Sequence, residues 1–249
     1  MPEPRDRVAA DEPRSPWLRG GFVLAAAFVG FVTVIGAALA VGSDPPGKDD
    51  TATPSRAPER RTSVPAADGG DCPELTDRAQ DIPTAVPADV TWTLYGSVAL
   101  PSSRAAGPAV TDDDVARCYA RTPLGALLAT SQISVRYLAA GDWREVARAQ
   151  TVGAGRDAYI ADRGEAERTA ATDGATGAVH GQIAGFRFVT YHDTTAVIQT
   201  VWRFPDGRMQ AATTTVLWRD GDWKLEYPAD PAAPTPVDSL AGYTAWGGV

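Results

Sequence analysis

Hydrophobic positions along the chain fall into three regimes. The first is an unbroken run: no charged residue stands between Arg19 and Asp44, and GGFVLAAAFVGFVTVIGAALAVGS is apolar almost throughout. A hydrocarbon core about 30 Å thick takes roughly 20 apolar helical residues to cross, so the run predicts a transmembrane helix over 20–42. The second regime has helical spacing. Leu124, Leu127, Leu128, Ser131, Val135 and Leu138 line one face of a helix that Thr122 caps and Pro123 opens. Gly141-Asp142 ends it and starts a short helix carrying Trp143 and Val146; a further helix is expected over 156–169. The third regime alternates. GFRFVTY (185–191), TTAVIQTVWRF (194–204), RMQAATTTVLW (208–218) and DWKLEY (222–227) read as strands. Phe204-Pro205-Asp206-Gly207 and Arg219-Asp220-Gly221-Asp222 supply hairpin turns between them. Upstream, DVTWTLYGSVAL (89–100) reads as one more strand, and Thr111 followed by Asp112, Asp113 and Asp114 as a capped helix start. Helices followed by an antiparallel meander predict an α+β domain with helices on one sheet face.

The flanks of the apolar run orient it. Arg5, Arg7, Arg14 and Arg19 precede it, whereas Lys48 alone follows among Asp44, Asp49 and Asp50. Basic residues stay inside, which predicts a cytoplasmic tail (1–19), one membrane-spanning helix and an extracytoplasmic remainder. A cleaved signal peptide is the alternative, because Ala38-Leu39-Ala40 offers a cleavage pattern, but the run exceeds the usual apolar core of such a peptide. Residues 43–71 are rich in Pro, Asp, Ser and Thr and read as a flexible stalk. The folded domain is placed at 72–228. A tail at 229–249 follows, entered through Pro228, Pro231, Pro234 and Pro236, which make an extended path unable to continue the sheet.

Charge and cysteine narrow the picture further. The net charge is −8 and no basic patch stands out, which disfavours direct nucleic-acid binding. Cys72 and Cys118 both follow the apolar run, and in an oxidising compartment a disulfide is their simplest use. A reactive thiol is the alternative, with Arg117 and Arg121 near Cys118 as the basic neighbours.

The run ending in TTTVLWRDGDWKLEY, placed after helices, resembles an NTF2-like domain, a cone with a central cavity. ALPSSRAAGP, ARTPLGALLATSQISVRY and PVDSLAGYTAWGGV resemble single-pass membrane proteins encoded with actinobacterial conjugative elements. An anchored, exported NTF2-like domain is also similar in architecture to the VirB8 and TcpC class of conjugation scaffolds. The resemblance implies a non-catalytic assembly subunit of a type IV-like transfer apparatus. Its partners would be the membrane, other envelope or apparatus proteins and a second copy. The alternative is an exported domain binding a small ligand in the cavity, lined by Trp92, Trp202 and Trp223.

Candidate chemistry is sparse. His180 and His192 have no metal-ligand partner at a recognisable spacing, and no nucleophile elbow or Cys-x-x-Cys pair appears. No cofactor or metal is expected. An enzyme would need His192, Asp142 or Asp193 inside the cavity. In the tail, Tyr243 and Trp246 are candidate partner contacts, since aromatic anchors recur at interfaces. The alternative is that the tail folds back over its own domain.

Overall fold

The computed structural model describes residues 72–173 and 180–248. They belong to one compact unit, Thr62–Val249; the other unit, Met1–Arg61, lies outside the described residues. The described chain opens on two hairpins. Strands β1 (Thr91–Tyr95) and β2 (Val98–Ser102) pair antiparallel around Gly96-Ser97, where Gly96 takes φ +59°. Strands β3 (Val110–Asp112) and β4 (Val115–Arg117) form the second.

Helix α1 (Pro123–Ala139) begins where the sequence says it should, with the Thr122 hydroxyl accepting the Gly125 N–H at 3.1 Å. Gly125 is required by close approach, since a Cβ there would stand 1.9 Å from the Ala120 carbonyl oxygen. Helices α2 (Trp143–Gln150) and α3 (Arg156–Asp173) follow, separated by the short strand β5 (Thr151–Val152). Asp142 caps α2, accepting the Glu145 N–H at 3.2 Å.

The main sheet contains β6 (Gln182–His192), β7 (Thr195–Arg203), β8 (Met209–Arg219) and β9 (Asp222–Glu226) as an antiparallel meander. Strand β5 joins it in parallel along β9. Two short strands of the tail complete it. Strand β10 (Thr235–Val237) pairs with the β8 edge at Ala211, and β11 (Thr244–Ala245) pairs with the far edge of β6 at Phe186. Between them the tail crosses the sheet as a strap.

Several expectations are corrected here. The NTF2-like arrangement of helices first and a purely antiparallel sheet after them does not form. The domain is mixed and sheet-rich, with three helices among the described residues, two hairpins ahead of them and a parallel strand at one edge. The expected helix start at Thr111–Asp114 is the β3–β4 hairpin instead. Asp113 takes the left-handed turn conformation at φ 49°, which a short polar side chain tolerates. Among the described residues no helix is long and apolar enough to cross a membrane. The single-pass anchor and membrane localisation are therefore no part of the fold described; the 20–42 run, like the 1–19 tail and the 43–71 stalk, lies outside those residues. The 228/229 boundary dissolves as well, because the tail supplies two strands to the sheet. Pro236 is accommodated in β10 because β10 is an edge strand, where a missing N–H leaves no ladder bond unmade.

Candidate functional site

The space between α1 and the sheet is filled. Leu127, Leu128 and Ile133 from the helix meet Phe186, Ile198, Val216 and Trp223 from the strands, all fully buried. Trp223 is 0 % exposed, and its indole N–H donates to the Ala120 carbonyl at 2.9 Å. Of the three tryptophans expected around one cavity, Trp223 lies in this core and Trp92 and Trp202 pack against it from partly buried positions. Trp202 packs beside Val98, Leu100 and Val135, and Trp92 leaves β1 to meet Trp246.

The second half of the core is held by ionic and aromatic contacts. The Arg163 guanidinium lies 4.1 Å from the Trp143 ring and donates to the Leu138 carbonyl at 2.8 Å, binding the open end of α1. Arg144 covers Trp143 as well, at 4.4 Å. Arg136 stacks on Tyr95 at 4.3 Å and donates to the Asp114 carbonyl at 3.0 Å. Burial pushes the Tyr159 phenol up, with Arg163 pulling against it, and pushes the Tyr227 phenol up to about 12.

Asp222 organises the approach to α1. Its carboxylate accepts the N–H groups of Cys118 (2.8 Å), Tyr119 (2.9 Å) and its own neighbour Trp223 (2.9 Å). Burial pushes this carboxyl up, and the three N–H groups pull it down. Cys118, held at φ 70°, is joined to Cys72, with the two Cα atoms 5.4 Å apart. That bond fastens the irregular 72–90 segment to the domain.

An open cleft of about 640 Å³ lies where β6 begins, β7 ends and the strap returns. Its apolar surface comes from Val86, Trp92, Phe204, Leu240 and Trp246. Among the described residues, Arg203 and His180 are its charged or titratable lining groups, and no carboxylate lines it. Gln182 closes one end, accepting from the Ala99 N–H at 3.0 Å and donating to the Ser97 carbonyl at 2.5 Å. Trp246 is 4 % exposed, and its indole N–H has no acceptor among the described residues.

Across the strap, Tyr243 anchors the tail to the sheet. Arg187 stacks on its ring at 4.9 Å, and its hydroxyl donates to Gln199 at 3.1 Å. Gln199 passes the chain of polar contacts on to Thr213 at 3.0 Å. Tyr243 and Trp246 therefore both contact this chain's own domain, Tyr243 half-buried and Trp246 buried.

None of the groups weighed for catalysis lines the cleft. His192 is exposed at the end of β6, Asp193 pairs with Arg121 at 3.0 Å, and Asp142 caps α2. Among the described residues no group of three or more His, Cys, Asp or Glu side chains could hold a metal ion. Val86, His180 and Arg203 were not readable as a site, because the cleft assembles from segments far apart in the chain.

The model of one protein family, described as a domain of unknown function (DUF8175), matches residues 52–245. The chain belongs to this family. No curated protein and no solved structure matches it. The DUF8175 match ends on Ala245, the last residue of β11, so the strap that crosses the sheet is part of the family's domain.

Proposed function

We propose that this DUF8175 domain is a non-catalytic assembly subunit that works through its surface by holding partner proteins. The observation that supports the reading is the packed interior beneath α1, where Trp223, Phe186 and Ile198 are buried against Leu127 and Leu128 of the helix. The resemblance of ALPSSRAAGP, ARTPLGALLATSQISVRY and PVDSLAGYTAWGGV to proteins of conjugative elements supports a DNA-transfer apparatus as the setting. A small-ligand-binding domain is the second reading. The cleft favours it, since its volume of about 640 Å³ falls in the range of ligand pockets, roughly 300–1,000 Å³.

The test is photo-cross-linking in cells, with the reactive group placed at Val86 on the cleft rim and at Asp162 on the exposed side of α3 as the control. Recovery of transfer-apparatus subunits, identified by mass spectrometry, supports assembly. Recovery of no other protein from either position overturns it, and a small molecule carried through purification favours the second reading.

A further inference from the structure

We infer that the cleft between β6, the end of β7 and the strap docks an extended segment of a partner protein in which an acidic residue stands beside an aromatic or aliphatic one. This rests on the assembly reading and gives it a binding site. The charge argument comes first. The chain carries a net charge of −8, yet among the described residues the cleft lining holds Arg203 and His180 and no carboxylate. Among the described residues Arg203 has no ion-pair partner; its guanidinium reaches only the Met209 sulfur, at 3.9 Å. A guanidinium presents a planar fork of donors suited to a carboxylate. Two basic groups on an acidic protein are too few for a nucleic-acid backbone.

The apolar half of the site lies beside the charge. Val86 is 60 % exposed at the rim, and Trp92 and Trp246 line the same cleft. A small molecule in a dedicated pocket has most of its surface covered. An open rim with exposed Val86 and Arg203 suits a chain that runs through and continues into solvent. Trp246 adds a buried indole N–H with no acceptor among the described residues. A peptide carbonyl, reached by a small shift of the strap, would supply one.

The test is selection of a phage-displayed random dodecapeptide library on the full chain and on the Arg203→Glu and Val86→Ser variants. Arg203 is exposed at a strand end, so R203E is expected to melt at the wild-type temperature, which checks that it folds. The expected result is enrichment of Asp or Glu next to Phe, Trp or Leu. Binding of the enriched peptides should weaken about tenfold or more in R203E, the loss of a charge-assisted fork, and selection on R203E should favour Lys or Arg instead. Val86→Ser should relax the apolar preference alone. Enrichment indifferent to Arg203 overturns the inference. So does binding of decanoate, a simple amphiphilic carboxylate, with no peptide enriched, or a concentration-dependent dimer that R203E abolishes. If cross-linking in cells captures the same partners from R203E as from wild type, the cleft inference fails while the assembly reading stands.

Discussion

Trp92 and Trp246 meet edge to face with ring centroids 4.8 Å apart, joining the first hairpin to the end of the tail. Phe186 completes the contact from β6, its centroid 5.3 Å from Trp246. The tail is therefore fixed by core packing as well as by two short strand pairings. Trp246→Ala should lower stability by about 3–5 kcal/mol, the usual cost of removing a buried tryptophan, read by urea denaturation. Trp246→Phe keeps a ring and deletes an N–H that has no acceptor among the described residues, so its effect should stay within about 1 kcal/mol. Equal small effects from both would show the tail to be loosely held.

How far the fold was legible follows from the kinds of signal involved. Strands β6 to β9 stood out because alternation and turn residues agree, and Thr122-Pro123 marked α1 because cap and first turn are local. The hairpin inside 89–100 carried a signal too, Gly96-Ser97, but the alternation of Trp92 and Leu94 on one side of it made a single strand persuasive. Thr111–Asp114 misled because a hydroxyl followed by acids serves a helix cap and an Asx turn alike. What holds the hairpin turn is nonlocal: the Asp114 carbonyl accepts from Arg136 of α1 at 3.0 Å and its carboxylate from the Asp142 N–H at 3.0 Å. The strap and the cleft are nonlocal throughout. Nothing in TPV or TA announces an edge strand, and Arg203 sits beside His180 only after β6 and β7 have paired.

Asp222 makes a sharper test of the route into α1. One carboxylate oxygen holds the Cys118 N–H and the other holds those of Tyr119 and Trp223. Asp222→Asn keeps the volume but turns an NH2 group toward a buried N–H. It should cost about 2–3 kcal/mol, one charged hydrogen bond lost and one donor left unpaired. Faster amide exchange at Cys118 and Tyr119 in the variant would trace the loss to this point, and unchanged exchange there would sink the assignment.

Cys72 and Cys118 are 46 residues apart in sequence. Closing a loop of that length restricts the unfolded chain by about 4 kcal/mol. Replacing both with serine should remove a large part of that stability. The 72–90 segment should lose protection first, since it carries no regular secondary structure and its other anchors are single contacts. Leu75 and Val90 pack against the core, and Asp77 accepts from the Thr122 hydroxyl at 2.6 Å and donates its N–H to the Ala105 carbonyl at 3.0 Å. Gln80 lies between the Arg121 carbonyl and the Tyr191 hydroxyl, both at 3.1 Å, and the Thr84 carbonyl accepts from the Thr244 hydroxyl at 3.3 Å. Hydrogen exchange followed by mass spectrometry separates the two effects. Uniform loss of protection across β6 to β9 with none specific to 72–90 would contradict the staple.

Tyr95 donates to Asp114 across the gap between the first hairpin and the β3–β4 turn, and Arg136 stacks on the phenol from the other side. Burial, then the hydrogen bond to Asp114, pushes Tyr95 up to about 12, while Arg136 pulls the other way. The hydrogen bond from Tyr95 and the N–H of Asp142 hold the Asp114 carboxyl below its usual range. The two shifts act at opposite ends of the pH scale. For Tyr95 the folded value lies above the unfolded one of about 10, so its contribution is complete below that pH and is lost as pH rises towards about 12. For Asp114 the folded value is depressed, so its contribution is present above the ordinary carboxylate range and disappears as pH falls through the lowered value. Tyr95→Phe should weaken both limbs at once. The acid midpoint of Asp114, followed by carboxyl NMR, should move up towards the usual range, and the high-pH tyrosine step in the ultraviolet difference spectrum should shrink. Movement of the alkaline limb alone would mean that Asp114 is held down by the Asp142 N–H, with Tyr95 a bystander.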